Sequence, residues 1–172
     1  MAFRLSMWLL FLAGGALGGF WLDSLLFKNI HNNIVFHFVL FVIGALLLWL
    51  VMKISRNTGR TLAKYGRKGD LPRMQTNQLV KDGVYAYMRH PMHLGLFLFP
   101  LAVAFLVGSP SFIFIIAPAE IIFMLIMIKT LEEREALAKF GDEYREYMKR
   151  VPAFCLKIKC IKELLKSVPK NE

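Results

Sequence analysis

Four blocks of apolar residues, about Leu5 to Phe27, Ile34 to Ile54, Pro91 to Val107 and Ser111 to Ile128, stand apart from a remainder rich in Lys and Arg. Within the blocks the apolar residues run on without the alternation of a half-buried strand or the spacing of an amphipathic helix. A spanning helix needs ~20 mostly apolar residues to cross ~30 Å of hydrocarbon. Only helices and closed barrels satisfy their backbone groups there, and the missing alternation excludes barrel strands. The pattern therefore predicts an all-α integral membrane helical bundle, with about four transmembrane helices and a cytosolic C-terminal helical cap. One domain is expected over 1–172: a transmembrane hairpin (1–54), a basic cytosolic loop (55–90), a second transmembrane hairpin (91–128), and cytosolic and interfacial helices (129–172). The first hairpin turns through Lys28-Asn29-Ile30-His31-Asn32-Asn33, the second through Gly108-Ser109-Pro110. The third block, which carries Pro100, reaches only ~25 Å at 1.5 Å per residue and is expected to begin at the interface.

The polar segments predict the cap. After Lys129, Thr130 is a capping residue, and Glu132, Glu133 and Glu135 fall in a first turn where the helix dipole favours anions. Gly141 is expected to break this helix, with Asp142 capping a second one that Pro152 limits. From Leu156 to Lys166, apolar residues alternate with Lys157, Lys159, Lys162 and Lys166, the pattern of an amphipathic helix lying on anionic lipid. In the first block, Gly14/Gly18 and Gly15/Gly19 are small-xxx-small pairs suited to close packing within the bundle rather than to a dimer face. Arg4 before an apolar run resembles a secretory signal, yet three further membrane blocks follow, so the segment is expected to stay.

Composition agrees: 56% of the 172 residues are apolar, and mean hydropathy is +0.49. Lys and Arg number 22 against 12 Asp and Glu. Nine of the 22 lie between Lys53 and Arg89, facing only Asp70 and Asp82, in a stretch punctuated by Gly59, Gly66, Gly69 and Pro72. The positive-inside bias places that loop, both termini and any site built on it in the cytoplasm. The excess charge is then topology and contact with membrane lipids; nucleic acid is not expected as a partner. Cys155 and Cys160 match neither a zinc pattern nor a disulfide framework and are expected to be reduced structural thiols. His31, His37, His90 and His93 show no ligand spacing, so no metal is expected.

Candidate chemistry gathers at two places. Arg89-His90-Pro91 precedes the third block. Proline holds His90 extended and suits the first helical position, which leaves the amides of Met92, His93 and Leu94 available beside Arg89 for a carboxylate or phosphate. Glu132-Glu133 follows the fourth block, and adjacent helical residues point ~100° apart, so one of the pair faces inward. In a hairpin the two places lie at the same membrane face. Two further acids, Glu120 in the fourth block and Asp23 in the first, are costly in lipid and have either a pairing or a functional role. The aromatics of Phe140 to Tyr147 are read as packing.

The run Gly83-Val84-Tyr85-Ala86-Tyr87-Met88-Arg89-His90-Pro91-Met92-His93-Leu94-Gly95, then Glu132-Glu133-Arg134-Glu135-Ala136-Leu137, then Phe140-Gly141-Asp142-Glu143-Tyr144 to Val151-Pro152, resembles the isoprenylcysteine carboxyl methyltransferase and phospholipid methyltransferase superfamily over about residues 79 to 154. The resemblance implies a membrane methyltransferase that binds S-adenosyl-L-methionine at the cytosolic face. Arg89, His90, Pro91, Leu94 and Gly95 would frame the cofactor, and Glu132 and Glu133 would hold its polar groups. His93 stands where the family commonly has Tyr. Arg89, Glu133 and His93 are the residues expected to act on the acceptor: Arg89, or alternatively Arg145, to orient a carboxylate, Glu133 or His93 to take the proton of an amine. The acceptor implied is hydrophobic or lipid-like, a prenylcysteine-type carboxylate or a phospholipid-type amine, reached from the bilayer. The rival readings are a nicotinamide-dependent membrane reductase of the sterol-reductase type and a non-catalytic scaffold. Oligomeric state is left open. The terminal Val168-Pro169-Lys170-Asn171-Glu172 carries no prenylation signal.

Overall fold

The computed structural model describes residues 2–28, 33–70 and 76–166, the side chains of residues 2–5, 7 and 8 excepted. The middle of the Lys28–Asn33 link, Pro72 and the tail from Val168 lie outside the described residues. The elements are α1 (Ala2–Leu26), α2 (Ile34–Tyr65), α3 (Pro91–Leu96), α4 (Leu98–Val107), α5 (Ala117–Met127), α6 (Glu133–Arg150) and α7 (Ile158–Leu165), and no strand occurs among the described residues. Leu9–Leu26, Ile34–Tyr65 and Phe112–Arg150 are long and apolar enough to cross a membrane, while Pro91–Val107 is a shorter apolar run. The fold is all-α and fits an integral membrane protein.

Prolines set the irregularities of the last two apolar blocks. Pro100 has no N–H for the Leu96 carbonyl four residues back, and α3 gives way to α4 at Phe97, although Phe97 itself keeps helical angles (φ −62°, ψ −26°). Pro118 likewise cannot bond to Phe114. The chain there widens into a π-turn, Phe112–Ile116, whose last bond runs from the Ala117 N–H to the Phe112 carbonyl. A second π-turn, Ile128–Glu132, carries α5 into α6 without interruption. This corrects the expected cap at Thr130: the helix is already formed there, its amides have partners, and Glu132, Glu133 and Glu135 meet no free terminus.

By its contacts the chain forms two compact units, Met1–Val51 with Phe97–Ile126, and Met52–Leu96 with Met127–Glu172. In the first, Leu40, Ala104, Phe112, Ile113 and Ala117 form a buried cluster. Of the two glycine pairs on α1, Gly15/Gly19 is the packed one: a Cβ would lie 2.8 Å from the Phe112 ring at Gly15 and 2.6 Å from Ser109 Oγ at Gly19, whereas Gly14 has nothing within 4 Å. Asp23, fully buried, has a structural role. Its Oδ1 accepts the Ser111 N–H at 2.8 Å and caps the start of the third long helix from another segment of chain.

In the second unit α2 continues to Tyr65, past Ile54 where its apolar block ends. Thr58 and Thr61 hydroxyls bond back to the carbonyls of Ile54 and Asn57, so these buried polar residues are satisfied inside the helix. Asn57 Nδ2 reaches the Leu164 carbonyl at the end of α7 (3.4 Å). α7 turns Cys160 and Leu164 inward and leaves Lys157, Lys159, Lys162 and Lys166 exposed. The expectation of reduced cysteines is overturned: Cys155 and Cys160 form a disulfide. The reason is conformational. Chain extended at Lys157 turns into α7 and brings the two Cα atoms to 5.9 Å, within disulfide span.

Candidate functional site

Arg89 and His90 lie just ahead of α3, and their backbone is fastened first. The Arg89 N–H donates to the Pro152 carbonyl (2.9 Å) and the His90 N–H to the Ala153 carbonyl (3.1 Å), so the two short segments run alongside each other. Pro91 opens α3 as expected. The Leu94 amide, expected to be available, instead bonds to the His90 carbonyl (3.1 Å), because a helix starting at Pro91 leaves only its first three residues without acceptors.

The Arg89 guanidinium then closes the cluster. Nε and Nη2 donate to Glu133 Oε1 at 3.2 and 2.5 Å, and Nη1 donates to the carbonyls of Val151 (2.6 Å) and Met148 (3.4 Å). These contacts require α6 to fold back. Residues 133 and 151 of a straight helix would be ~27 Å apart at 1.5 Å per residue, beyond the reach of one side chain. Gly141 supplies the reversal: at φ 54°, ψ −130° it is non-helical, in a region essentially reserved for glycine, and α6 becomes two segments joined at that residue. The expected break at Gly141 is therefore present. Arg89 ties the first turn of α6 to the unpaired carbonyls at its last.

His90 Nε2 lies 3.2 Å from the same Glu133 oxygen. Burial pushes the His90 imidazole down to about 4, against the opposing pull of Glu133, so near neutrality the ring is uncharged. With Nε2 facing a carboxylate, the proton belongs on Nε2 and Nδ1 is left as an acceptor. Burial tends to raise the Glu133 carboxyl, but hydrogen bonds from Arg89 and His90 outweigh it and hold the group below the usual carboxylate range. Glu133 is thus a fixed carboxylate whose Oε1 accepts three bonds, while Oε2 accepts none from the described residues.

The other expected residues sit differently. Glu132 is half-buried, and neither Arg89 nor His90 directs a donor to it. The π-turn at 128–132 decides this, because one extra residue per turn rotates everything after it by ~100° and brings Glu133 round to Arg89. His93, half-buried, presents its ring edge-on to His90 at 5.5 Å. Leu94 is half-buried. Gly95 serves α2: a Cβ there would lie 2.5 Å from Ile54 Cγ2. Sequence reasoning missed Phe154, whose ring lies 5.9 Å from that of His90, and the carbonyls of Met148 and Val151 to Ala153. The signal was there in Val151-Pro152, a helix end with orphan carbonyls that need donors. Of the 140–147 aromatics, Tyr147 is packed: it is buried, and its hydroxyl donates to the Tyr85 carbonyl at 2.5 Å.

Comparison with known proteins points the same way. A family model described as phospholipid methyltransferase matches residues 16–143. The protein-S-isoprenylcysteine O-methyltransferase of Schizosaccharomyces pombe is 36% identical over 87 residues, 47% of this chain and 34% of that protein. The Homo sapiens protein of the same name is 36% identical over 88 residues, 51% and 30% of the respective chains. The chain thus spans about a third of the length of these curated relatives.

Proposed function

The chain belongs to the phospholipid methyltransferase family, and from that premise we propose that it transfers a methyl group from S-adenosyl-L-methionine to a lipid-like acceptor at the cytosolic membrane face. The observation that carries this reading is the Glu133 carboxylate, held by Arg89 and His90 through one oxygen with the other still open. That donor set fits the methyl donor: a carboxylate oxygen suits its ammonium or ribose hydroxyls, and His90 Nδ1 accepts a further hydrogen bond. Bound there, S-adenosyl-L-methionine supplies an electrophilic methyl on a sulfonium.

The chain's own residues then align reactants and exclude water. Arg89, with four hydrogen bonds already made to protein acceptors, positions Glu133 and the 148–151 turn; it is a positioning residue rather than an open seat for an acceptor carboxylate. Glu133, held ionised by its partners, is a weak base, so where the acceptor is an amine the proton falls to His93. A carboxylate acceptor needs no base. The name of the relatives, isoprenylcysteine O-methyltransferase, favours the carboxylate, and the family description a phospholipid. Both share the apolar body that a membrane enzyme receives from the bilayer. The basic segment from Lys53 to Arg89 supports a cytosolic orientation.

Calorimetric titration of detergent-held protein with S-adenosylmethionine and S-adenosylhomocysteine tests the reading. Saturable binding is expected, weakened at least about tenfold by Glu133→Gln through loss of a charge-assisted contact. Absence of binding to either compound, or competition by a nicotinamide nucleotide instead, rejects it. A lipid extract incubated with labelled methyl donor then identifies the acceptor.

A further inference from the structure

The first unit holds a cavity of about 330 Å³ between α1 and the 116–123 stretch, lined by Leu10, Phe11, Gly14, Gly15, Ile116, Phe123 and their neighbour Glu120. Its wall is apolar apart from that one acid. Glu120 is 6% exposed, and neither carboxyl oxygen has a hydrogen-bond partner among the described residues. Gly15 makes the room: a Cβ there would lie 3.0 Å from Glu120 Oε1 and 2.8 Å from the Phe112 ring. Phe11 and Phe123 meet at 5.1 Å on the same wall.

We propose that this cavity is a binding site for a primary-ammonium amphiphile, the ammonium seated against Glu120 and the chain lying along the glycine-bearing face of α1. Buried carboxyl groups without partners are rare because the desolvation of the acid goes uncompensated. Water is a poor candidate for the partner, since it needs two to four polar neighbours and the wall offers one. An anion is repelled, and an alcohol supplies a single donor and no charge. A primary ammonium brings three donors, a compensating charge, and affinity for aromatic faces. Whichever group carries the proton in, the bound pair is ammonium and carboxylate. The volume, at the low end of small-molecule sites, takes a head and a short length of chain while the rest extends into lipid. The ammonium can come from a free alkylamine or from an aminophospholipid headgroup.

The test uses the full chain in phosphatidylcholine nanodiscs without methyl donor, with labelled dodecylamine as probe and dodecanol and dodecanoate as comparators. Saturable binding of dodecylamine, with neither comparator displacing it, is expected. Glu120→Gln should weaken it at least about tenfold. Gly14 lines the cavity and has open space where a Cβ would stand, so Gly14→Leu should occlude the site and abolish binding while Tm is kept. Glu133→Gln should leave dodecylamine binding unchanged, which separates this site from the methyl-transfer reading. Nanodiscs containing phosphatidylethanolamine distinguish the sources: loss of probe binding assigns the site to the lipid headgroup, retention to the free amine. Undiminished binding to Glu120→Gln, or equal displacement by dodecanol, overturns the proposal.

Discussion

Glu133 Oε1 accepts hydrogen bonds from Arg89 Nε and Nη2 and faces His90 Nε2. The residues of this cluster were legible in the sequence because RHP and the Glu pair are local patterns. How their donors are shared was not, since Arg89 also reaches Met148 and Val151 only after α6 reverses. The arrangement has a consequence for acid sensitivity. His90, with its imidazole at about 4 in the folded protein and near 6.5 in the unfolded chain, is bound by more protons when unfolded anywhere between those values. Its contribution to stability is therefore complete above about pH 6.5 and is lost as pH falls toward 4; Glu133, also depressed, acts in the same direction at still lower pH. By about pH 5.5 the loss from His90 is of order 1 kcal/mol, or about 2–4 °C in Tm. Thermal unfolding in detergent across this range should show the decline in wild type and a shallower one in His90→Gln, which keeps a donor toward Glu133 without titrating. Equal slopes would remove His90 from the account.

At the scale of elements, the apolar blocks, the break at Gly141 and the amphipathic α7 were all readable, because each rests on periodicity or on a residue with one backbone speciality. The two π-turns and the disulfide were not. A π-turn is a one-residue change of phase whose cause, Pro118 in the first instance, is equally compatible with a simple kink. The disulfide depends on the turn into α7 rather than on cysteine spacing. Two glycines provide a contrast that depends on backbone alone. Neither Gly141 nor Gly59 has an atom within 4 Å of a built Cβ, so crowding plays no part at either. Gly141 has φ 54°, whereas Gly59 lies within α2. Gly141→Ala should destabilise by about 1–3 kcal/mol and weaken S-adenosylmethionine binding, as the Arg89 contacts to both ends of α6 loosen. Gly59→Ala should stabilise by about 0.5–1 kcal/mol. Denaturation of both variants in one detergent decides; a stabilising Gly141→Ala would mean that α6 does not reverse there.

For the whole molecule, the division by contacts coincides with a division by charge. Of the 22 Lys and Arg, all but Arg4 and Lys28 fall in the unit comprising 52–96 and 127–172, and of the acids only Asp23 and Glu120 fall in the other. The first unit leaves large apolar side chains such as Leu10, Leu17, Ile34 and Phe114 exposed to at least 73%, a surface that only hydrocarbon covers without cost. The second collects the charges and the Arg89–Glu133 cluster. Composition foretold a membrane protein but not that polar and apolar halves would each be assembled from two separated segments, because that follows from long helices which change character midway, α2 near Val51 and the third long helix near Ile126. The basic unit should face the cytoplasm, where cationic loops are retained. Lys64 and Lys68 are exposed at the end of α2 and just beyond it, so trypsin added outside sealed inside-out vesicles should cut there, and right-side-out vesicles should protect the same bonds. Cleavage in the opposite pattern would place the cluster on the far side of the membrane, away from cytosolic S-adenosylmethionine, and would count against methyl transfer even if the purified protein bound the donor.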